Sequence, residues 1–455
     1  MTAGEHDIEE AEGATAAPDL ANADRKPGYL AGGVVRLVDP AEMEGRTLRL
    51  PDPKDPIEAP LAAANERSID VAAEYLAKLF PDLPLERFAQ ATDATTLVVG
   101  RSAPELLELI DPERLVEEMF QRLHFEPPGQ IRFMRDKEAR DLSDIAVMHP
   151  HPYPGGHVRL RPAALAAALD EGYTMVLDGV ELRNGPSMLL AEMFERRFGC
   201  AVNINGYLST RSHTSFGAHW DDQEVVIVQL LGRKDWVVEA PPALSPLKSS
   251  HGDATSGNTV WEGRLHPGDV MYIPRGWGHL VRGIEELSYH YTITIPRING
   301  VRILGGVLNA LRSEHIHRSA GSMLAIEPSD RSNQLVAERF DPATLAAATD
   351  AAAAQLRYAM PNRSAQSMPV ALGTTAETPL VRASGSGGWV VAGRQDEDLL
   401  VGVAGSMMVV ATAAVAQLAG FTDGATHEWN DSHSPALSGV MSALDTIMIE
   451  GSAEM

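Results

Sequence analysis

The sequence predicts an α+β protein in which a central all-β barrel or sandwich lies between helical segments. Apolar residues recur at spacings of three and four from about Ser68 to Leu123 and again after Pro296, which is the period of a helix. Between Ala201 and Pro296 the pattern changes to short apolar or alternating runs broken by Gly and Pro, as is typical of a barrel or sandwich. The chemical core is therefore expected in this β segment.

Length and composition are those of an ordinary globular protein. The chain has 455 residues, 44% apolar and 22% charged, enough for two or three folding units with a substantial core. Cys200 is the single cysteine and cannot form an internal disulfide, and the N-terminus lacks the basic and apolar pattern of a secretory signal. The sequence therefore predicts a cytoplasmic protein.

Net charge and hydropathy indicate which kinds of partner the protein can be expected to bind. A formal net charge of -24 disfavours non-specific binding to nucleic acid and suits either plain solubility, which is the simpler explanation, or a basic protein or peptide as partner. One uncharged stretch, 399–422, is long enough to cross a bilayer, but Ala, Gly, Ser, Thr and Gln dilute it. A buried strand followed by a buried helix explains it better, so no membrane partner is expected.

The segments before the β region are predicted from composition and helix signals. Residues 1–65 are rich in Ala, Gly, Pro and acidic residues without a sustained apolar period, which predicts a disordered acidic tail. Scaffold helices are expected from Ser68 onward and over 105–123. Further along, a helix opening at Pro162, a strand over 173–177 and a helix capped by Ser187 are expected.

The β segment itself supplies the predicted strands. They are expected at 201–208, 223–231, 235–240, 259–265, 269–273 and 287–295. With the preceding helices they make up a predicted catalytic domain, 66–296.

After Pro296 the chain is predicted to become helical again. The clearest helices are expected over 301–318 and 342–360, and the second begins with a capping Asp and a first-turn Pro. We expect region 297–360 to be a helical dimerisation region that packs against a second copy of the chain.

The C-terminal part is predicted as a linker, 361–378, followed by a winged-helix-like domain, 379–455. This last domain contains no Lys and only two Arg, Arg382 and Arg394, against nine carboxylates. Because that is the wrong sign for phosphate contacts, DNA binding is not expected.

A metal site is predicted within the β segment. Side chains at positions i and i+2 of a strand point to the same face, so His219 and Asp221 can present an imidazole and a carboxylate together. A turn, a strand and a second turn then present His279. Two histidines and one carboxylate leave three positions of an octahedral ion open, the arrangement of non-haem iron(II) oxygenases.

Two alternatives accompany this prediction. His219 and Asp221 could form a structural hydrogen bond in a barrel that has lost its metal. A second His-x-Asp sequence, His251 to Asp253, lies in a loop rich in Ser, Gly and Asp, where we expect it to be exposed and unligated. The tryptophans near the predicted ligands are expected to pack away from the metal: Trp220, Trp236 and Trp277.

The run from Tyr173 to Ile295 contains HWDDQEVVIVQLLGRKDW, PGDVMYIPRGWGH and SYHYTIT in that order. It resembles the JmjC-type ribosomal oxygenase group of the cupin superfamily, whereas the match before about Leu160 is poor. The resemblance implies a double-stranded β-helix, the jelly roll of cupins, followed by dimerising helices and a winged-helix domain.

The resemblance also implies roles for individual residues. His219, Asp221 and His279 would bind Fe(II), and Lys234 would pair with the distal carboxylate of 2-oxoglutarate. In an enclosed site such a carboxylate needs a cation. Arg233 and Arg275 remain rival cations.

Four further residues are candidates for the 2-oxoglutarate pocket. Tyr207 matches a phenol that hydrogen-bonds the same carboxylate, with a core tyrosine as the alternative. Thr294 matches a small hydroxyl residue near it. Asn203 and Asn205 alternate with Tyr207 along one strand, so both are candidates to face the pocket.

The activity implied is the O2-dependent hydroxylation of an amino-acid side chain, with Arg or His favoured, in a protein, and a ribosomal protein is one candidate substrate. A peptide-tailoring hydroxylase of a natural-product pathway would share every one of these residues. An N-methyl-lysine demethylase would also share them. A metal-binding cupin without oxygenase activity is the non-enzymatic alternative.

Overall fold

The structure is a computed structural model of the chain. It describes residues 35–38, 40–43, 46–90, 96–122, 124–125, 130–149, 157–241, 256–313, 342–361, 380–383, 387–403, 406–421, 427–428 and 447–450.

The helices of the described residues are α1 (Ala59–Leu79), α2 (Leu85–Gln90), α3 (Pro104–Ile110), α4 (Pro112–Arg122), α5 (Leu142–Ile145), α6 (Pro162–Asp170), α7 (Gly185–Phe198), α8 (Gly300–Ser313), α9 (Pro342–Tyr358) and α10 (Val415–Phe421). The strands are β1 (Val35–Leu37), β2 (Val98–Arg101), β3 (His124–Phe125), β4 (Ile131–Arg135), β5 (Glu138–Ala139), β6 (Ala146–His149), β7 (His157–Leu160), β8 (Thr174–Leu177), β9 (Asn203–Ser209), β10 (His219–Trp220), β11 (Glu224–Leu231), β12 (Lys234–Glu239), β13 (Thr259–Leu265), β14 (Asp269–Ile273), β15 (Gly278–Gly283), β16 (Ser288–Ile295), β17 (Leu380–Ala383), β18 (Val390–Gln395), β19 (Asp398–Val403), β20 (Ser406–Val410), β21 (His427–Glu428) and β22 (Ile447–Glu450).

Two sheets form the central barrel. The larger has the strand order β2-β14-β11-β16-β9-β8-β4-β5, and the smaller has the order β10-β15-β12-β13. Their facing sides share one apolar core, in which Ile227 and Met271 of the large sheet cluster with Trp236 and Val238 of the small one. The predicted α+β class with a central barrel is confirmed.

Strand β11 shows why the sequence pattern here is a continuous apolar run. Val226 and Val228 belong to the core beneath the helices, whereas Val225 and Ile227 belong to the core inside the barrel. Successive side chains of a strand point to opposite faces, so the part of β11 that is buried against both cores, Val225 to Val228, is apolar at every position.

Helix α1 joins the barrel to the C-terminal part of the chain. Leu76 and Leu79 pack in the core that covers the large sheet, together with residues of α7 such as Leu190. One end of the same helix places Leu61 and Ala64 in a different core, against the sheet of strand order β1-β20-β19-β18. The barrel and the C-terminal sheet thus share one 21-residue helix.

The described part of the predicted acidic tail is ordered, which corrects that prediction. Strand β1 pairs antiparallel with β20, with Val35 opposite Val410. Leu48 is buried, and α1 begins at Ala59 rather than near Ser68. A three-residue strand whose partner lies at the other end of the chain leaves no local period in the sequence.

Several helix boundaries differ from the prediction for local reasons. The helix expected over 105–123 is two helices, because Asp111 adopts a left-handed conformation (φ 46°) before Pro112. Helix α7 is capped by Asn184, whose side chain accepts a hydrogen bond from the backbone of Ser187, so Ser187 lies inside the helix.

In the C-terminal part, the described residues of the stretch 399–422 include all but the first residue of β19, strand β20 and helix α10. Within the described residues no helix is both long and apolar enough to cross a bilayer. The predicted linker, 361–378, lies outside the described residues except for Pro361. The winged-helix-like domain and the dimerisation region stay predictions.

Candidate metal centre

The three predicted metal ligands meet at the junction of β10 and β15. These strands pair antiparallel with His219 directly opposite His279, and Asp221 follows β10. One ligand atom from each of the three side chains lies within 4.8 Å of the others. His279 Nε2 is 3.7 Å from Asp221 Oδ2, which is too long for a hydrogen bond and suits two ligands of one ion.

The orientation of both imidazoles fits metal binding. Nδ1 of His219 lies 3.0 Å from the Gly217 carbonyl oxygen, and Nδ1 of His279 lies 3.3 Å from that of Trp277. With the Nδ1 proton donated to a backbone carbonyl, each ring is left with an unprotonated Nε2. Two imidazole nitrogens and one carboxylate oxygen are a donor set for Fe(II), and three ligands leave positions open.

A cavity of about 530 Å³ opens beside these ligands. Its wall includes seven residues that the sequence predicts for the site: Asn205, Tyr207, His219, Asp221, Lys234, His279 and Thr294. The cavity is therefore the place where a cosubstrate would contact the ion.

Lys234 is the buried cation of this cavity. Gly232 adopts φ 56° in the turn before β12, where a Cβ would collide with the Leu287 carbonyl, so the turn leading to Lys234 requires glycine. Lys234 is 2% exposed. Its Nζ donates to the Tyr207 carbonyl oxygen and lies close to His290 Nδ1, at 2.8 Å in each case.

No carboxylate of the described residues lies within ion-pair distance of Lys234, and burial lowers the pKa of its ammonium group. A buried cation without a counter-ion is costly, and an anion in the cavity would relieve that cost. The rival cations do not line the cavity. Arg233 instead forms a two-point ion pair with Glu286 on the outside of the barrel, at 3.0 and 2.8 Å.

Tyr207 faces the cavity, and its ring stacks on His290 with centroids 4.8 Å apart. Burial, followed by the charge of Asp221, raises the pKa of Tyr207 above its usual value, so the phenol is a hydrogen-bond donor at neutral pH. Asn205 Oδ1 is buried and has no hydrogen-bond partner in the described part of the chain. Asn203, at the start of the strand, is exposed and does not line the cavity, which corrects that expectation.

Among the wall residues that the sequence did not assign to the site are Trp236 and His290. Trp236 was expected to pack away from the metal, yet it lines the cavity with its ring centroid 6.3 Å from that of His279. Its position two residues after Lys234 is the signal that places both on one face. His290 joins Lys234 to Tyr207, and burial, followed by the charge of Lys234, lowers the pKa of His290. The alternation in SYHYTIT places His290 on the face of Thr294.

The packing expected of the other two tryptophans agrees with the structure. Trp220 is 4% exposed, and Trp277 packs against the core inside the barrel. The second His-x-Asp sequence, His251 to Asp253, lies outside the described residues.

Residues 180–302 match the family model described as the JmjC domain. The chain carries a JmjC domain. The matched range contains all three candidate metal ligands and Lys234, so the resemblance stated from the sequence is confirmed at this level.

Relatives of the JmjC domain include two proteins named bifunctional lysine-specific demethylase and histidyl-hydroxylase NO66. The protein from Caenorhabditis briggsae is 36% identical over 116 residues, which are 24% of this chain and 15% of the relative. The one from Drosophila willistoni is 25% identical over 234 residues, 50% of this chain and 29% of the relative. The chain thus spans well under a third of the length of these relatives.

Among solved structures, the chain is similar to the Escherichia coli ribosomal oxygenase YcfD in complex with cobalt and 2-oxoglutarate. The sequence identity is 15%, the TM-score is 0.47, and the comparison covers 81% of this chain and 99% of that one.

Proposed function

We propose that the protein is an iron(II)- and 2-oxoglutarate-dependent oxygenase that hydroxylates a side chain of a basic protein or peptide, with Arg or His favoured. The observation that carries this proposal is the meeting of two features in one cavity. A metal-ligand triad with positions left open lies beside Lys234, a buried cation with no carboxylate partner among the described residues. A metal-binding protein without oxygenase activity would need the triad but not the buried cation.

Each residue of the cavity has a task in this reaction. His219, Asp221 and His279 hold the ion through Nε2 and carboxylate oxygens. Iron(II), when bound, would couple the activation of O2 to the oxidative decarboxylation of 2-oxoglutarate. Lys234 Nζ binds the distal carboxylate of the cosubstrate, and its short contacts to the Tyr207 carbonyl and His290 fix where that charge lies.

Other wall residues position the cosubstrate and exclude water. The Tyr207 phenol and the Thr294 hydroxyl can donate to the distal carboxylate, and the unpartnered Asn205 oxygen can accept from a bound group. Ile227 and Trp236 form apolar wall beside them, which strengthens the charge interactions by keeping the site dry.

The substrate class is supported by two observations. A net charge of -24 favours a basic partner. The NO66 relatives are named for reactions on lysyl and histidyl side chains of proteins. Both are oxidations of a protein side chain, so a protein or peptide substrate is the common element.

The test is succinate formation by the full-length protein with Fe(II), ascorbate, 2-oxoglutarate and O2, with basic ribosomal proteins and peptides as substrates. We expect a product heavier by one oxygen atom, whereas formaldehyde release would indicate demethylation. His219→Ala should lose metal binding and at least about 100-fold in turnover, since even the loss of a supporting partner costs 10- to 100-fold. The matched control is His266→Ala, an exposed histidine outside the cavity.

The proposal fails if no succinate forms under these conditions and His219→Ala retains its metal. Metal binding by the unsubstituted protein without succinate formation would instead establish the non-enzymatic alternative.

We also propose that the protein is a homodimer through the pair of helices α8 and α9. The two helices pack on each other through Val307 and Ala352, yet the pair leaves Leu304 and Leu308 more than half exposed. Exposed leucines one turn apart form an apolar stripe suited to a second copy. Light scattering should give twice the chain mass, and Leu304→Glu with Leu308→Glu should halve it. A monomer before substitution would contradict the proposal.

A further inference from the structure

A second cavity, of about 380 Å³, lies away from the barrel interior. It is enclosed by α1, the end of α7, α8, α9 and the turn at Gly387 and Gly388, and it shares no wall residue with the metal cavity. We propose that it binds a small amphipathic anion, with one carboxylate or phosphate head on an apolar body.

The wall of this cavity combines apolar surface with positive charge. Its apolar part includes Ile69, Phe198, Ile298, Ile303 and Leu356. Its charged side chains are three arginines, and no Asp or Glu is among the wall residues that the structure describes. Such a wall favours an apolar body with an anionic head and disfavours a cation.

Two of the arginines are already neutralised. Arg196 forms an ion pair with Glu192 at 2.7 Å, and both side chains are almost fully buried. Arg197 pairs with Glu86. These two arginines shape the cavity wall, but the positive charge of each is already paired with a glutamate of the chain.

Arg357 is the exception. It lies near the end of α9, and its guanidinium group has neither an ion pair nor a hydrogen bond in the described part of the chain. Burial alone lowers the pKa of Arg357. A guanidinium presents five donors in a planar fork, so an anion in the cavity would satisfy donors that the described residues leave unused.

The turn opposite Arg357 is held in place before any ligand arrives. The side chain of Asn65 accepts from the Trp389 amide at 2.6 Å and donates to the Trp389 carbonyl at 3.0 Å. Gly388 adopts φ 72°, and a Cβ there would meet Asn65 Oδ1 on one side and Arg357 Nη1 on the other. The turn and the arginine are therefore closely packed, and the site is largely preformed.

The size of the cavity restricts the ligand. Ligand cavities range from about 300 to 1,000 Å³, so this one suits a small molecule rather than a folded segment or a cofactor of dinucleotide size. A purely structural role for Arg357 is the competing explanation, because a cation in the last turn of a helix interacts favourably with the helix dipole. The experiment has to separate these two roles.

The experiment is calorimetric titration of the full-length protein with four probes that share a chain of similar length and differ in their head group: octanoate, octyl phosphate, octanol and octyltrimethylammonium. We expect the anions to bind more tightly than octanol and the cation to bind least. The two anions distinguish a carboxylate head from a phosphate head. Arg357→Gln should weaken anion binding about tenfold or more, the value of roughly one charge-assisted hydrogen bond.

A charge-matched control is Arg302→Gln on α8, which is exposed and outside the cavity, and it should change affinity by less than about twofold. Ala353→Leu should block binding by filling the cavity without changing any charge. Thermal unfolding without probe should show Arg357→Gln as stable as the unsubstituted protein or more so.

Three results would overturn the proposal. The first is equal affinity for octanoate and octanol. The second is anion binding that Arg357→Gln leaves unchanged, including binding that Lys234→Met removes instead, which would put the probe in the metal cavity. The third is the absence of binding by every probe at millimolar concentration.

Discussion

Lys234 and Arg357 each face a cavity without a carboxylate partner in the described part of the chain, but the two sites are built differently. Lys234 projects from strand β12 of the small sheet and makes short contacts to two residues of the large sheet, Tyr207 and His290. Arg357 projects from a helix end towards segments that are far apart in sequence. At the strand site, two short contacts fix the position of the Lys234 ammonium group. At the helix-end site the wall is preformed, but no such contact among the described residues fixes the Arg357 guanidinium group.

The largest expected effect is on the KM for 2-oxoglutarate, which should depend on Lys234 and not on Arg357. Lys234→Met should raise the KM for 2-oxoglutarate about 30-fold or more, because removing one partner of a buried charge pair leaves the other unpaired. Arg357→Gln should leave it within about twofold. Succinate formation against 2-oxoglutarate concentration measures both. Equal effects of the two substitutions would remove the distinction between the sites.

A smaller effect is expected on the stability of the unliganded protein. The same substitution that weakens cosubstrate binding should stabilise the fold. Lys234→Met should raise the free energy of unfolding, by analogy with the gain of about 1–4 kcal/mol found when buried ion pairs are replaced by apolar residues of similar volume. Arg357→Gln should raise it less, because that side chain is only partly buried. Urea denaturation without metal or cosubstrate is the measurement. A loss of stability in Lys234→Met would show that its contacts outweigh its desolvation.

The smallest expected effect is the uptake of a proton by Lys234 when 2-oxoglutarate binds. Burial lowers the pKa of Lys234, so the folded protein releases this proton at a lower pH than the unfolded chain does. Unliganded stability should therefore rise with pH between the lowered pKa and the ordinary lysine value. Bound 2-oxoglutarate favours the ammonium form, so above the lowered pKa its binding should take up about one proton at most.

Calorimetry of 2-oxoglutarate binding in two buffers of different ionisation enthalpy measures this uptake. Lys234→Met serves as the control and should show none. The same uptake in both proteins would assign the proton to another group.

The sequence was sufficient where local spacing determines geometry. The i and i+2 spacing of His219 and Asp221 places them together, and strands 259–265 and 269–273 were predicted at their observed bounds. Lys234 could be preferred over Arg233 only from its motif position. The reason that Arg233 is unsuitable, its ion pair with Glu286, depends on a residue far along the chain.

Contacts between distant segments could not be predicted. Among the described residues, the strand that pairs with β1 is β20, more than 360 residues further along the chain. The second cavity takes its wall from four helices and a turn, each of which has an unremarkable pattern of its own. Trp236 is a different case. The alternation along β12 places it on the same face as Lys234, but it was predicted to pack away from the metal.

Strand β10 is only two residues long, and His219 is one of them. An ion held by His219, Asp221 and His279 would tie this short strand and the segment after it to β15. Since such an ion binds the folded chain and not the unfolded one, it adds stability by mass action, about 2.7 kcal/mol at a concentration 100 times its Kd. We therefore expect the melting temperature to report the free concentration of the ion, and proteases to cut first near β10 when iron is scarce.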